Sequence, residues 1–376
     1  MQILRYILLI LVLCNISGIV LVNFGDALGS QTSYATYGLL VIYYALNKKH
    51  QILWPFILLV LSYHIIAGLQ YISDEKYFYV EFLKYFILIL CGAELAYRTT
   101  LKELYIVLIF GATTVLLHAA LYSDDYGRYA GFYLDPNSAG FACIIGCALA
   151  FGIKDVKWRV LGLFYFTFCG ALTFSRTFFL LWIILTIISV FHNRKNIKIP
   201  LLGFASALLL VSLATDFKLN SERLSIIDNL LNRGSVNSSI NDDSRLETWA
   251  QYYDKTFDSM FFGNGYQTYM GGDIARVGVH NNYLRILGEA GLLPFFLFLG
   301  IHIYLVLKSF KTFRDKLFQF LIAIALFILH LTNHNFDTLS HVTFVTLWLY
   351  ILLTRKDDLS IEENEILLTN KAIKSH

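Results

Sequence analysis

The sequence predicts an all-α integral membrane protein with about twelve transmembrane helices and one long, partly helical loop on the outer side. Three observations predict it. Of 376 residues, 57% are hydrophobic and only 15% charged, below the roughly 25% charge of a soluble domain, and the mean hydropathy is +0.58. Runs of about 20 mostly apolar residues, the length a helix needs to cross a bilayer, recur along the chain. Positive charge alternates from one connection to the next. The same composition, with 31 Phe, 24 Tyr and 4 Pro, excludes disordered and collagen-like chains. A net charge of +3, spread in small groups, gives no basis for nucleic-acid binding.

The first apolar segment, 3–22, resembles a lipoprotein signal ending at Cys14. Leu13 stands where a small residue is required, however, so the segment reads as a crossing helix. The second, 30–46, is polar at its start; 52–71, 78–97 and 102–121 are uninterrupted. Segments 137–153, 159–175 and 177–192 follow, the last two meeting at Ser175-Arg176 in a connection too short to be a true loop. Then come 200–216, 282–307, 317–333 and 340–354, and a tail over 355–376. Alternate connections hold Lys48 and Lys49, Arg98 and Lys102, Lys154, Lys157 and Arg159, Arg194, Lys195 and Lys198, and Lys308, Lys311, Arg314 and Lys316. The opposite short connections hold only Lys76, Arg128 and Arg176. The positive-inside rule places the basic set and both termini in the cytoplasm. Cys14, Cys91, Cys143, Cys147 and Cys169 all fall within apolar stretches and read as small core residues.

Residues 1–354 therefore form a membrane domain into which the loop 217–281 is inserted on the outer side, a length that points to function. Leu246, Trp249, Ala250, Tyr253, Phe257 and Met260 recur at spacings of three and four, the stripe of an amphipathic helix. Leu224, Ile227, Leu230 and Leu231, closed by Gly234, suggest a shorter one. Both helices equally suit a cap over the bundle.

Polar groups near a membrane are costly and mark candidate sites. They gather on the outer side: Arg128, Asp135, Asn137, Arg176, Arg245, Arg276, His280, Asn281, Asn282, Arg285 and Glu289. Arg176 beside hydrocarbon is either a snorkelling anchor or a ligand for phosphate or carboxylate. An asparagine before Tyr283 can cap a helix whose positive end favours anions. Arg285 and Glu289, four apart, share a helix face and suit an internal ion pair. His280 has the pKa range for proton transfer. Gly263-Asn264-Gly265 reads as a turn and Asp135-Pro136 as a helix entry. There is no metal-ligand spacing, phosphate loop or nucleophile elbow, so no metal or cofactor is expected. Chemistry on the outer side then needs a substrate activated beforehand.

Several of these residues occur together in a familiar order: Gly131, Asp135-Pro136-Asn137, Thr173-Phe174-Ser175-Arg176, Arg245 with Trp249, the Gly-Asn-Gly turn, and His280-Asn281-Asn282-Tyr283-Leu284 leading to Glu289 and Gly291. Over roughly residues 125–305 the chain resembles the O-antigen ligase/polymerase family. The resemblance implies a glycosyltransferase of the bacterial inner membrane that passes a glycan from an undecaprenyl-diphosphate carrier to a hydroxyl on the periplasmic side. By resemblance Arg176 and Arg245 grip the diphosphate or glycan, and His280 orients or deprotonates the acceptor. Arg128, Asn137, Arg276, Asn281, Tyr283, Arg285 and Glu289 line the substrate. A flippase and a chain-length regulator are the implied partners. The family's usual Gly-x-x-Gly ending is replaced by Gly291-Leu292-Leu293-Pro294, which leaves the ligase signature incomplete and favours polymerisation of repeat units. Transfer to lipid A–core is the alternative. Transport of a lipid-linked sugar fits less well, because the midplane is nearly free of charge and no internal repeat is present.

Overall fold

The computed structural model describes residues 1–70, 72, 74–122, 127–213, 245–272 and 274–355. Among them there is no strand. The helices are α1 (Gln2–Leu13), α2 (Ile16–Phe24), α3 (Asp26–Leu46), α4 (Trp54–Gln70), α5 (Glu75–Tyr97), α6 (Leu101–Leu121), α7 (Pro136–Ala150), α8 (Val156–Leu172), α9 (Arg176–His192), α10 (Ile199–Ser212), α11 (Arg245–Asp258), α12 (Asn282–Ala290), α13 (Leu292–Lys311), α14 (Leu317–Leu329) and α15 (Ser340–Thr354). Every apolar segment of the sequence coincides with a helix or a helix pair. The proposed helix at Leu224–Leu231 and the tail beyond Arg355 lie outside the described residues.

Among the described residues three helical stretches, Leu101–Leu121, Arg194–Ser212 and Leu292–Lys311, are long and apolar enough to cross a membrane; α1 with α2 makes a fourth if the bent pair is one span. The chain is thus a helical membrane protein. Five further apolar helices, including α7, α9, α14 and α15, have 10–17 residues. They fall short of about 20 residues, the usual length of one crossing.

Two expected single spans are interrupted. The first bends by 64° between α1 and α2, where Asn15 sits at φ +49°, a conformation asparagine tolerates better than most residues. The tenth breaks at Gly291, whose φ of +77° caps α12 before α13 begins. A Cβ there would overlap the Phe261 carbonyl, so glycine is required twice over.

The core is organised around α7, which contacts α6, α8, α9 and α14. Asp135 caps its first turn by accepting from the Ser138 N–H at 2.9 Å, and Pro136 presets its start. Nearly all its side chains are buried, the pattern of a helix surrounded by others. Small residues allow the approach: a Cβ on Gly146 would run into the Phe166 ring. All five cysteines are buried and free.

The buried face of α11 differs from the expected stripe. Tyr252 and Thr256 are buried, whereas Leu246, Tyr253 and Phe257 are exposed, as is Ala250. The reason is polar: the Tyr252 hydroxyl donates to the Val277 carbonyl at 2.7 Å and Thr256 shares a 2.8 Å bond with the Tyr269 hydroxyl. Amphipathic tyrosine supplies both the apolar contact and the bond, so it turns inward in place of the leucine and phenylalanine. Tyr252, Tyr269, Ala275 and Val279 form a second small core, with Trp249 and Leu284 packed against it.

Candidate functional site

Two polar clusters form beside the connection between α14 and α15. The first is built on α12. Asn281 caps this helix, its side chain accepting from the Leu284 N–H at 3.1 Å. Asn282 is buried and accepts from the Phe336 N–H at 3.2 Å, with its amide 2.8 Å from His330 Nδ1. Tyr283 donates its hydroxyl to the Phe327 carbonyl at 3.2 Å. One turn on, Arg285 is 1% exposed. It donates from Nε to Glu289 at 3.0 Å, from its terminal nitrogens to both Asp337 oxygens at 2.8 and 3.1 Å, to the His334 carbonyl at 2.6 Å, and to the Tyr63 hydroxyl at 3.2 Å. All five guanidinium donors have partners within the protein. Glu289, fully buried, also accepts from the Tyr63 hydroxyl and from the Tyr269 N–H at 3.2 Å.

The Gly263-Asn264-Gly265 turn straps this helix. Asn264 N–H donates to the Gly288 carbonyl at 2.7 Å and Gly265 N–H to the Glu289 carbonyl at 3.0 Å. Positive φ at Gly263 and Gly265 allows the turn, and absence of a side chain at Gly263 allows its backbone to lie against Glu289.

His280 stands just before the cap, exposed and at φ +46°. Its N–H donates to His334 Nδ1 at 3.1 Å, and the two rings lie 4.2 Å apart. Burial, the nearby His280 and the Arg285 charge together push His334 down to about 3, against an opposing pull from Asp337. His334 is therefore neutral and accepts at Nδ1.

The second cluster lies where the 127–135 segment meets the turn between α8 and α9. Arg128 Nε donates to the Thr173 carbonyl at 3.2 Å. Phe174 takes φ +46°, and Ser175 caps α9 while its hydroxyl donates to Asn137 at 2.8 Å. This sets Arg128 and Asn137 against the turn that leads into Arg176. Arg176 is exposed, and among the described residues its guanidinium has no partner. Its chain neighbours Phe174, Phe178 and Phe179, with Trp182, line an apolar cavity of about 520 Å³ between α8, α9 and α10. The connection between α14 and α15 and the first turn of α15 bridge the clusters: Asp337 binds Arg285, while His341 packs against Tyr133 with ring centroids 5.3 Å apart.

Arg245 starts α11 and is half-buried, and Arg276 is exposed in the following segment. Sequence reasoning missed Tyr63, His334 and Asp337. The signal was present in Asn333-His334-Asn335-Phe336-Asp337, a polar run between apolar helices that echoes His280-Asn281-Asn282. Among the described residues no group of three His, Cys, Asp or Glu is arranged to hold a metal ion.

Comparison with known families meets this geometry midway along the chain. Residues 161–299 match the O-antigen ligase family model. The O-antigen ligase match runs from within α8 into α13 and includes Arg176, Arg245, Arg276, His280, Asn281, Tyr283, Arg285 and Glu289. Arg128, Asn137, Tyr63, His334 and Asp337 lie outside it. No curated protein matches the chain. The match supports a membrane enzyme of the general O-antigen ligase/polymerase type.

Proposed function

We propose that the protein polymerises undecaprenyl-diphosphate-linked oligosaccharide repeat units on the periplasmic side of the bacterial inner membrane. The observation that carries this reading is Arg176: an exposed guanidinium, without a partner among the described residues, whose chain neighbours Phe174 and Phe178 line an apolar cavity of about 520 Å³. A polyprenyl diphosphate is likewise an anion attached to an apolar tail. In the reaction the acceptor oxygen bonds to the anomeric carbon of the donor glycan, the bond from that carbon to the diphosphate oxygen breaks, and undecaprenyl diphosphate leaves. Arg176, with Arg128 and Arg245, would neutralise the leaving diphosphate as its charge develops. His280 orients the acceptor hydroxyl or takes its proton, and Asn137 and Arg276 contact the substrate. Asn281, Tyr283, Arg285 and Glu289 hold α12 in place for this work.

The topology that goes with it has twelve crossings, both termini cytoplasmic and residues 217–281 in the periplasm, with a flippase supplying donor and a chain-length regulator acting on product. Transfer to lipid A–core is the second reading, favoured by the description of the matched family as O-antigen ligase.

Gel analysis of surface glycans in a strain carrying only Arg176→Ala tests the proposal. Loss of one preorganised donor costs about 2.7–4 kcal/mol, a rate loss of about 10²–10³. A polymerase variant leaves single repeat units on the acceptor. A ligase variant leaves none there and strands polymer on the carrier. Normal long-chain ladders overturn both readings, and donor trapped on the cytoplasmic leaflet points to transport.

A further inference from the structure

A second pocket, of about 380 Å³, opens among α3, α4, α5 and α15, at the ends of these helices that carry Lys48, Lys49, Arg98 and Arg355. Its chemistry is independent of the glycan-transfer site. Glu94, buried within it, is fully engaged: Arg98 Nε donates to it at 2.6 Å, and the His50 N–H and Nδ1 lie 3.2 and 2.9 Å from it. The His50 ring stacks on Tyr97 at 3.4 Å, and the Arg355 guanidinium lies 4.5 Å from the Tyr97 ring. Arg355 is exposed and, among the described residues, has no hydrogen-bond or ion-pair partner. The one carboxylate is thus already matched, and Arg355 leaves the pocket with a surplus of positive charge.

The remaining wall is apolar, formed by Ile57, Leu90 and Ile351 among others. Trp54, at the start of α4, is 59% exposed beside it, as tryptophans are where a helix leaves the hydrocarbon for the headgroup layer. A basic pocket between membrane helices at that depth suits a phosphorylated headgroup.

We propose that this pocket binds the phosphate of an anionic phospholipid headgroup, with Arg355 on the phosphate and Ile57, Leu90 and Ile351 against the first part of the acyl chains. Arginine provides paired donors to phosphate oxygens, and the partnered Glu94 holds His50 at the rim.

The test uses the full chain, delipidated in a neutral detergent, titrated separately with dihexanoyl phosphatidylglycerol, dihexanoyl phosphatidylcholine and inorganic phosphate, with binding read by native mass spectrometry and thermal shift. Phosphatidylglycerol should bind at least about tenfold more tightly than phosphatidylcholine. Arg355→Ala should weaken phosphatidylglycerol about tenfold, the loss of about 1.4 kcal/mol, while lowering the melting temperature of the unliganded protein only slightly, since the side chain's contact there is the exposed one with the Tyr97 ring. Inorganic phosphate binding as tightly as phosphatidylglycerol overturns the lipid assignment in favour of a free anion. Equal binding of the two lipids, or an unaffected Arg355→Ala variant, overturns the site.

Discussion

Arg285→Met removes one side chain and leaves two carboxylates in the protein interior. Glu289 is fully buried and Asp337 is 7% exposed, and the guanidinium gives one donor to the first and two to the second. After the substitution Glu289 keeps the Tyr63 hydroxyl and the Tyr269 N–H, while Asp337 loses both Arg285 donors. Breaking a buried ion pair from one side costs about 3–5 kcal/mol, because the remaining charge stays desolvated without compensation. Two stranded carboxylates place this variant at the upper part of that range. Reversible unfolding in bicelles by steric trapping measures the loss directly. Arg285→Lys should fall between wild type and Arg285→Met, since an ammonium restores the charge but has three donors for five positions. The decisive comparison adds Glu289→Gln and Asp337→Asn to Arg285→Met: neutral amides of similar shape remove the stranded charge and should recover at least half of the loss. A triple variant no more stable than Arg285→Met refutes the electrostatic reasoning, as does an Arg285→Met protein within about 0.5 kcal/mol of wild type.

Gly263→Ala should destabilise by about 2 kcal/mol, combining the strain of φ +75° with overlap of the new Cβ and the Glu289 backbone. Gly272→Ala, at φ +104° with open space around it, should cost only the strain, about 1 kcal/mol; equal losses in the same unfolding assay contradict the strap. Acidification should loosen the contact between His280 and His334. His334 is held near 3 in the folded protein against about 6.5 in an unfolded chain. Between those values the unfolded state binds more protons, so stability is unaffected by this group above pH 6.5 and falls progressively as pH drops toward 3. Hydrogen exchange at the His280 amide should speed up from pH 7 to pH 5, after correction for intrinsic rates, and His334→Gln should flatten that dependence. A wild-type profile without the extra acceleration contradicts the assignment.

Much of the site was legible because it depends on local chain chemistry. Spacing alone paired Arg285 with Glu289, and a short polar side chain before Tyr283 announced the cap at Asn281. Asp337 was not legible: it lies 52 residues from Arg285, and only the folding of α14 and α15 brings it back. Which side of α11 faces the protein was not legible for a related reason. Hydrophobicity ranks leucine and phenylalanine above tyrosine, yet Tyr252 had a carbonyl to reach and Leu246 did not.

Composition and period by themselves determined that this chain is helical and bound to a membrane, because a chain with so little charge cannot cover itself in water and apolar runs of this length satisfy their backbone groups only as helices. They also determined where most helices start and stop, since caps and glycines act within a few residues. Tertiary structure decided which polar groups neutralise one another and which remain open to a ligand. Arg176 and Arg285 look alike as residues in apolar sequence; their difference is that Glu289 on the same helix and two distant segments occupy every Arg285 donor, while among the described residues no partner meets the Arg176 guanidinium.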